Sequence, residues 1–137
     1  MSALLEQHGG SHYLDMVIQP IEFIHANRLG YDEGTAVVYL SRWKSKGGIA
    51  DLQKAKHHIE LLLEFIGSVT RLEGERPRAI VHMDEKISAG EYISANRIDD
   101  LEAAAIRSLV NWNYREDLER AISSINTLML KELELEL

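Results

Sequence analysis

The sequence predicts an all-α protein, a compact bundle of about five helices, and three observations lead there. Apolar residues recur at spacings of three and four along most of the chain, the period of a helix with one buried face. Only two prolines, Pro20 and Pro77, interrupt it. In the clearest stretch Leu52, Ala55, Ile59, Leu62, Leu63, Ile66 and Val69 fall on a single stripe at 100° per residue. With 137 residues, 45% of them apolar, the chain suits one domain with a core of its own.

The first helix is expected to open at Pro20, where a missing N–H costs nothing, and to stop at Gly30. The second covers residues 32–46, with Asp32 as its cap and Gly47-Gly48 as its terminator. The third runs from Asp51 to about Leu72. Residues 9–72 thus form a helical core, and residues 73–97 a hinge and irregular segment that starts with the polar run Glu73–Arg78. Residues 79–83 fit either a short extended piece or a helical turn. Ser88 and Glu91 have capping-box spacing, although Gly90 weakens any helix that follows. Helices from about Ile98 to Trp112 and from Tyr114 onward make a hairpin over residues 98–137. No internal repeat stands out. In the last helix Leu118, Ile122, Ile125, Met129 and Leu133 are spaced four, three, four and four apart, close to a heptad seam, and Leu135 and Leu137 lie beyond it. A core face and a homo-oligomer interface both fit this pattern, and an oligomer is expected.

Composition excludes several functions. The absence of cysteine removes disulfide scaffolds and thiol chemistry and fits a reducing compartment. A formal charge of −7 argues against long nucleic acid, whose binding rests on cationic surface, so any nucleic-acid-like ligand should be small. No apolar run approaches the roughly 20 residues that span a bilayer, and the first residues do not resemble a signal peptide. A cytoplasmic protein with no membrane partner is expected.

Against this acidic background, residues 42–58 carry Arg42, Lys44, Lys46, Lys54 and Lys56 with Asp51 as the only acid. A solvated face would account for such a run. Helical geometry suggests more. Thr35, Tyr39, Arg42 and Lys46 share one face of the second helix, and Asp51, Lys54 and His58 one border of the third. Antiparallel packing through Gly47-Gly48 would bring these borders together. Arg42 could then grip a phosphate, Lys46 and Lys54 add charge, and Tyr39 or Trp43 stack on a base.

Familiar catalytic patterns are missing. There is no glycine-rich phosphate loop ending in Lys-Ser or Lys-Thr. His57 and His58 are adjacent on a helix, about 100° apart, and do not readily share a metal ion. Glu60 and Glu64 lack the complementary acidic set of all-α magnesium-dependent NTP pyrophosphohydrolases. Neither a metal nor an organic cofactor is expected.

Gly9-Gly10-Ser11-His12-Tyr13, Gln19-Pro20-Ile21-Glu22, Glu33-Gly34-Thr35, Tyr39-Leu40-Ser41-Arg42-Trp43, Lys46-Gly47-Gly48, and Asp51-Leu52 with Lys54-Ala55 form an ordered string of motifs. This string resembles a family of small phage proteins, most without an assigned function, that is related to a phage nucleotide kinase lacking a phosphate loop. The resemblance covers residues 9–64 and implies a phage origin, the cytoplasm of an infected bacterium, and a nucleotide-type ligand. It also adds His12 and Tyr13 to the candidate site. Two positions depart from it: Thr35 stands where the family has Asn, and Val38 where it has Lys. Loss of a cation should harm phosphoryl transfer more than binding.

The expected function is therefore sequestration of a small nucleotide, linear or cyclic, for instance a host immune signal, without turnover. His12, Tyr13, Thr35, Tyr39, Arg42, Lys46, Lys54 and His58 are the candidate ligand-binding residues. The alternative is a nucleotide kinase or related nucleotide-modifying enzyme of phage metabolism. A third reading, a clamp on a host protein through the acidic C-terminal half, would leave the basic strip unused.

Overall fold

The computed structural model describes residues 2–8, 10, 13–68 and 86–135. Among these it is all helical, with six α-helices and no strand: α1 (Pro20–Ala26), α2 (Tyr31–Arg42), α3 (Ile49–Ser68), α4 (Ala89–Ala95), α5 (Asp100–Val110) and α6 (Arg115–Leu135), preceded by a short 3-10 turn at Ala3–Leu5. None of these helices is long and apolar enough to cross a membrane.

Pro20 is the first residue of α1, as expected, and the Glu22 carboxylate accepts the Gln19 N–H at 2.7 Å to close that end. The other end departs from expectation. Helix α1 stops at Asn27, and Arg28, not Gly30, takes the left-handed conformation at φ 53°. The Leu29 N–H then bonds back to the Ile24 carbonyl at 3.1 Å, which satisfies an orphan acceptor of the last turn. Gly30 instead caps the start of α2, the place expected of Asp32. Helix α2 ends at Arg42, four residues short of the expected Lys46, because residues 43–48 form the turn into α3. The part of the expected third helix beyond Ser68, with Val69 of its stripe and its end at Leu72, lies outside the described residues, as does the polar run Glu73–Arg78. Within the expected irregular segment 73–97, α4 is a formed helix, so the helix count rises from five to six. Ser88 caps it, with its hydroxyl accepting the Glu91 N–H at 3.0 Å.

The structure corrects the expectation of a chain without internal repeat. Helices α1, α2 and α3 have 7, 12 and 20 residues, and α4, α5 and α6 have 7, 11 and 21. A displacement of 69 positions carries Ile18 onto Ile87, Glu22 onto Glu91, Ala26-Asn27-Arg28 onto Ala95-Asn96-Arg97, Glu33 onto Glu102, Leu40 onto Leu109 and Trp43 onto Trp112. Arg97 repeats the left-handed conformation of Arg28, at φ 54°. In the third helix of each unit the displacement is 66, so that Asp51, Leu52, Ala55 and Ile59 correspond to Asp117, Leu118, Ala121 and Ile125.

The two units face each other with reciprocal contacts. Trp43 Nε1 donates to Glu102 Oε2 at 3.2 Å, and Trp112 Nε1 donates to Glu33 Oε2 at 3.1 Å. Asn27 Nδ2 donates to the Ile87 carbonyl at 2.7 Å, and Asn96 Nδ2 to the Ile18 carbonyl at 2.8 Å. The rings of Phe23 and Tyr92, equivalent residues, stack with centroids 4.3 Å apart, which marks an approximate two-fold axis. Both tryptophans and both glutamates are buried, so each carboxylate is taken out of water against an indole donor from the other unit. Lys44 adds its ammonium at 3.3 Å from Glu102 and also bonds Asp99.

The apolar seam of α6 is divided between the core and the surface. Leu118 and Ile125 are fully buried within the chain, Ile122 and Met129 pack against the core, and Leu133 is exposed. Leu118 and Ile125 therefore belong to the core of this chain, and Leu130, Leu133 and Leu135 are on the outside. At the start of α6 the Asp117 carboxylate accepts the backbone N–H groups of Asn113 at 2.9 Å and Tyr114 at 3.0 Å. Those bonds, with a smaller contribution from Arg120, hold its pKa below the ordinary carboxylate value. A carboxyl group with a depressed folded-state pKa stabilises the fold above its unfolded pKa and loses that contribution as pH falls through the folded one. Asp117→Asn should accordingly lower the melting temperature at pH 7, and the difference from the natural chain should shrink as the pH is taken below about 4. Thermal melts of both proteins at pH 7 and pH 3 check this, and a constant difference would contradict it.

Candidate functional site

The turn between α2 and α3 is shaped by its two glycines. Gly48 has φ 58°, a conformation that side chains resist. A Cβ on Gly47 would lie 2.1 Å from the Asp51 carboxylate, so only glycine lets the turn close over that group. Asp51 is 1% exposed, in the first turn of α3, and its partner is Arg42, the last residue of α2. Arg42 Nε donates to Asp51 Oδ2 at 3.1 Å, and Nη1 donates to the Tyr13 hydroxyl at 3.2 Å. Partial burial works against the charge of Arg42, but the bonds to Tyr13 and Asp51 outweigh it and hold its pKa above the ordinary value. The guanidinium is thus a fixed cation with N–H donors left over.

Around it the side chains of both helices converge on one ring. The Arg42 guanidinium carbon lies 4.8 Å from the centroid of the Tyr39 ring, and Lys54 Nζ lies 5.6 Å from the same centroid. His58 stacks on Tyr39 at 6.2 Å and meets Tyr31 edge-on at 5.6 Å. Its Nδ1 is 2.9 Å from Asp32 Oδ1, with both side chains mostly buried. Next to this cluster is a cleft of about 270 Å³, lined by Ile24, Leu29, Tyr31, Thr35, Val38, Tyr39 and Arg42 among others. Its walls are mainly apolar. Arg42 is the one charged residue in the lining, which suits a ligand with a flat or sugar-like body and an anionic end.

Most of the residues expected to form the site are brought together. Tyr13, Tyr39, Arg42, Lys54 and His58 form the cluster, and Thr35 lines the cleft beside it. Lys46 does not join: it is exposed in the turn, with no hydrogen bond or ion pair from its side chain to a described residue. His12 lies outside the described residues. Trp43, named as an alternative stacking group, belongs to the buried interface between the units.

Three residues had not been expected here. Asp51 read as a lone acid in a basic run and turns out to anchor Arg42, while Asp32 read as a helix cap and pairs with His58. Tyr31 completes the aromatic wall. One signal was available, the placement of Asp51, Lys54 and His58 on a single helical border. The residue before Arg42 faces the second unit instead: the hydroxyls of Ser41 and Tyr92 are 2.6 Å apart. Among the described residues no three His, Asp or Glu side chains gather as a metal-binding group.

Residues 8–60 match a family described as a protein of unknown function, DUF3310. The match falls almost wholly on the first three-helix unit and contains every member of the cluster. No curated protein and no solved structure matches the chain.

Proposed function

We propose that the cleft beside Tyr39 binds a small nucleotide, linear or cyclic, and sequesters it without turnover. The observation that carries this reading is Arg42, whose guanidinium is pinned by Asp51 and Tyr13 and which lines an apolar, tyrosine-walled cleft. Arg42 would take a phosphate, Lys54 would add a second charge from across the ring, and Tyr31 and Tyr39 would flank the base or sugar. Binding without chemistry fits the charge balance. Asp51 already offsets part of the Arg42 charge, and Val38 places an apolar group where the family resemblance would put a lysine. In an infected bacterium, holding a nucleotide signal in this way would blunt a host response.

A nucleotide kinase is the second reading, and one feature favours it. Asp32 orients the His58 imidazole as a carboxylate orients a general base, and such a group could take a proton from an attacking hydroxyl.

Calorimetric titration with a panel of mono-, di- and cyclic nucleotides tests the site. A charge-assisted hydrogen bond to phosphate contributes roughly 1.5–3 kcal/mol, so Arg42→Ala and Lys54→Ala should each weaken binding about tenfold or more. Lys56→Ala, on the other border of α3, should leave it unchanged. Equal affinities in all three variants would assign the basic strip to solvated surface.

A further inference from the structure

From the repeat and its reciprocal contacts we infer that the face of the α1–α3 unit packed on α4–α6 is a self-recognition surface, one that fits a second copy of the α1–α3 unit itself. The second unit is then a copy that kept the pairing residues and gave up the ligand site. Two kinds of polar contact that cross the axis come in equivalent pairs, whereas Ser41 with Tyr92 and Lys44 with Asp99 and Glu102 have no counterpart. Trp43 meets Glu102 while Trp112 meets Glu33, and Asn27 and Asn96 each reach the chain just ahead of the other unit's first helix. Two α1–α3 units placed about the same axis would therefore pair Trp43 with Glu33 twice over, and would stack Phe23 on its own equivalent where Tyr92 now lies.

The ligand-facing positions have diverged in the opposite sense. Where the first unit has Tyr39, Arg42 and His58, the second has Ser108, Asn111 and Ser124. Asp117, the equivalent of Asp51, spends its carboxylate on backbone N–H groups and Arg120 and has no equivalent of Arg42 to hold. The Trp, Glu and Asn of the pairing have thus been kept, while Tyr39, Arg42 and His58 have been replaced and only Lys54, with Arg120, and Asp51, with Asp117, keep their charge. A chain built this way carries one ligand site. That one-site consequence rests on the nucleotide reading above. The self-recognition does not.

The test is a full-length chain in which residues 82–135 are replaced by a second copy of residues 13–68. It is expected to fold to a helical protein that melts in one cooperative step, and to bind two equivalents of ADP, the probe, where the natural chain binds one. Failure of this tandem to fold would overturn the inference. A tandem that folds while neither protein takes up ADP or any other member of the nucleotide panel would uphold self-recognition and sink the nucleotide reading. Two ADP on the natural chain would show that the second unit had kept its site, and would overturn the division of roles.

A gentler variant makes the same demand without a graft. Ser41 corresponds to Val110 as Phe23 does to Tyr92. The fourfold exchange Phe23→Tyr, Tyr92→Phe, Ser41→Val, Val110→Ser moves the Tyr–Ser hydrogen bond to the other side of the axis. The melting temperature should stay within about 5 °C of the natural chain, a shift of the size of one lost hydrogen bond. A fall of more than about 15 °C would mean that the two sides are not equivalent.

Discussion

Asp51→Ala is expected to destabilise the protein by about 2–3 kcal/mol and to abolish measurable nucleotide binding, although Asp51 would touch no ligand. Removing one partner of a buried ion pair costs up to roughly 3–5 kcal/mol because the surviving charge is left unpaired. The Arg42 side chain keeps 18% of its surface, so water recovers part of that loss. Binding suffers for a geometric reason. Arg42 is held in place by Asp51 and Tyr13, and without the carboxylate its guanidinium can rotate away from Tyr39 toward solvent. Urea unfolding and calorimetry on the same samples separate the two effects. Asp51→Asn, which preserves shape and loses the charge, should fall between the natural chain and Asp51→Ala in both. Undiminished binding by Asp51→Ala would show that the ion pair does not position Arg42.

Ile125→Asp should unfold the chain outright, whereas Leu133→Asp, eight residues on along the same helix, should change its stability by less than about 0.5 kcal/mol. Ile125 is fully buried in the apolar core, where a carboxylate would be cut off from water, while Leu133 is 49% exposed. Far-UV circular dichroism and thermal melts of the two variants decide the matter. A folded, merely dissociated Ile125→Asp protein would restore the reading of this stripe as a seam between subunits.

The contrast between these residues shows what was legible in the sequence. Spacing identified the apolar stripe of the last helix correctly, but a heptad-like stripe reads the same whether another chain or another part of this chain covers it. The α2–α3 hairpin and the convergence of Tyr39, Arg42, Lys54 and His58 followed from helical geometry, because a six-residue turn leaves two helices little choice but to pack side by side. Asp51 was missed as an anchor because a single acid among five cations looks like a solvated charge, and only the turn over Gly47 buries it. Glycine is the usual left-handed terminator, which points to Gly30 as the end of α1, whereas here Arg28 takes that conformation. The repeat is hard to see in the sequence because its shared residues are scattered at helical intervals. A connection of different length in each unit also changes the displacement from 69 to 66, so no single shift aligns the whole. Ala-Asn-Arg followed by Leu or Ile, with Trp some fifteen residues on, was the visible trace of it.

The most direct test of sequestration is transfer of radiolabelled phosphate from ATP to a panel of nucleoside monophosphates, run beside calorimetric binding of the same nucleotides, for the natural chain and for Val38→Lys. Val38 is half-buried in the cleft wall, so a lysine there would bring a charge into apolar surroundings beside Arg42. The expected result is binding without detectable transfer by the natural chain, and weaker binding, still without transfer, by Val38→Lys. Robust phosphate transfer by the natural chain would contradict sequestration and establish the kinase reading in its place.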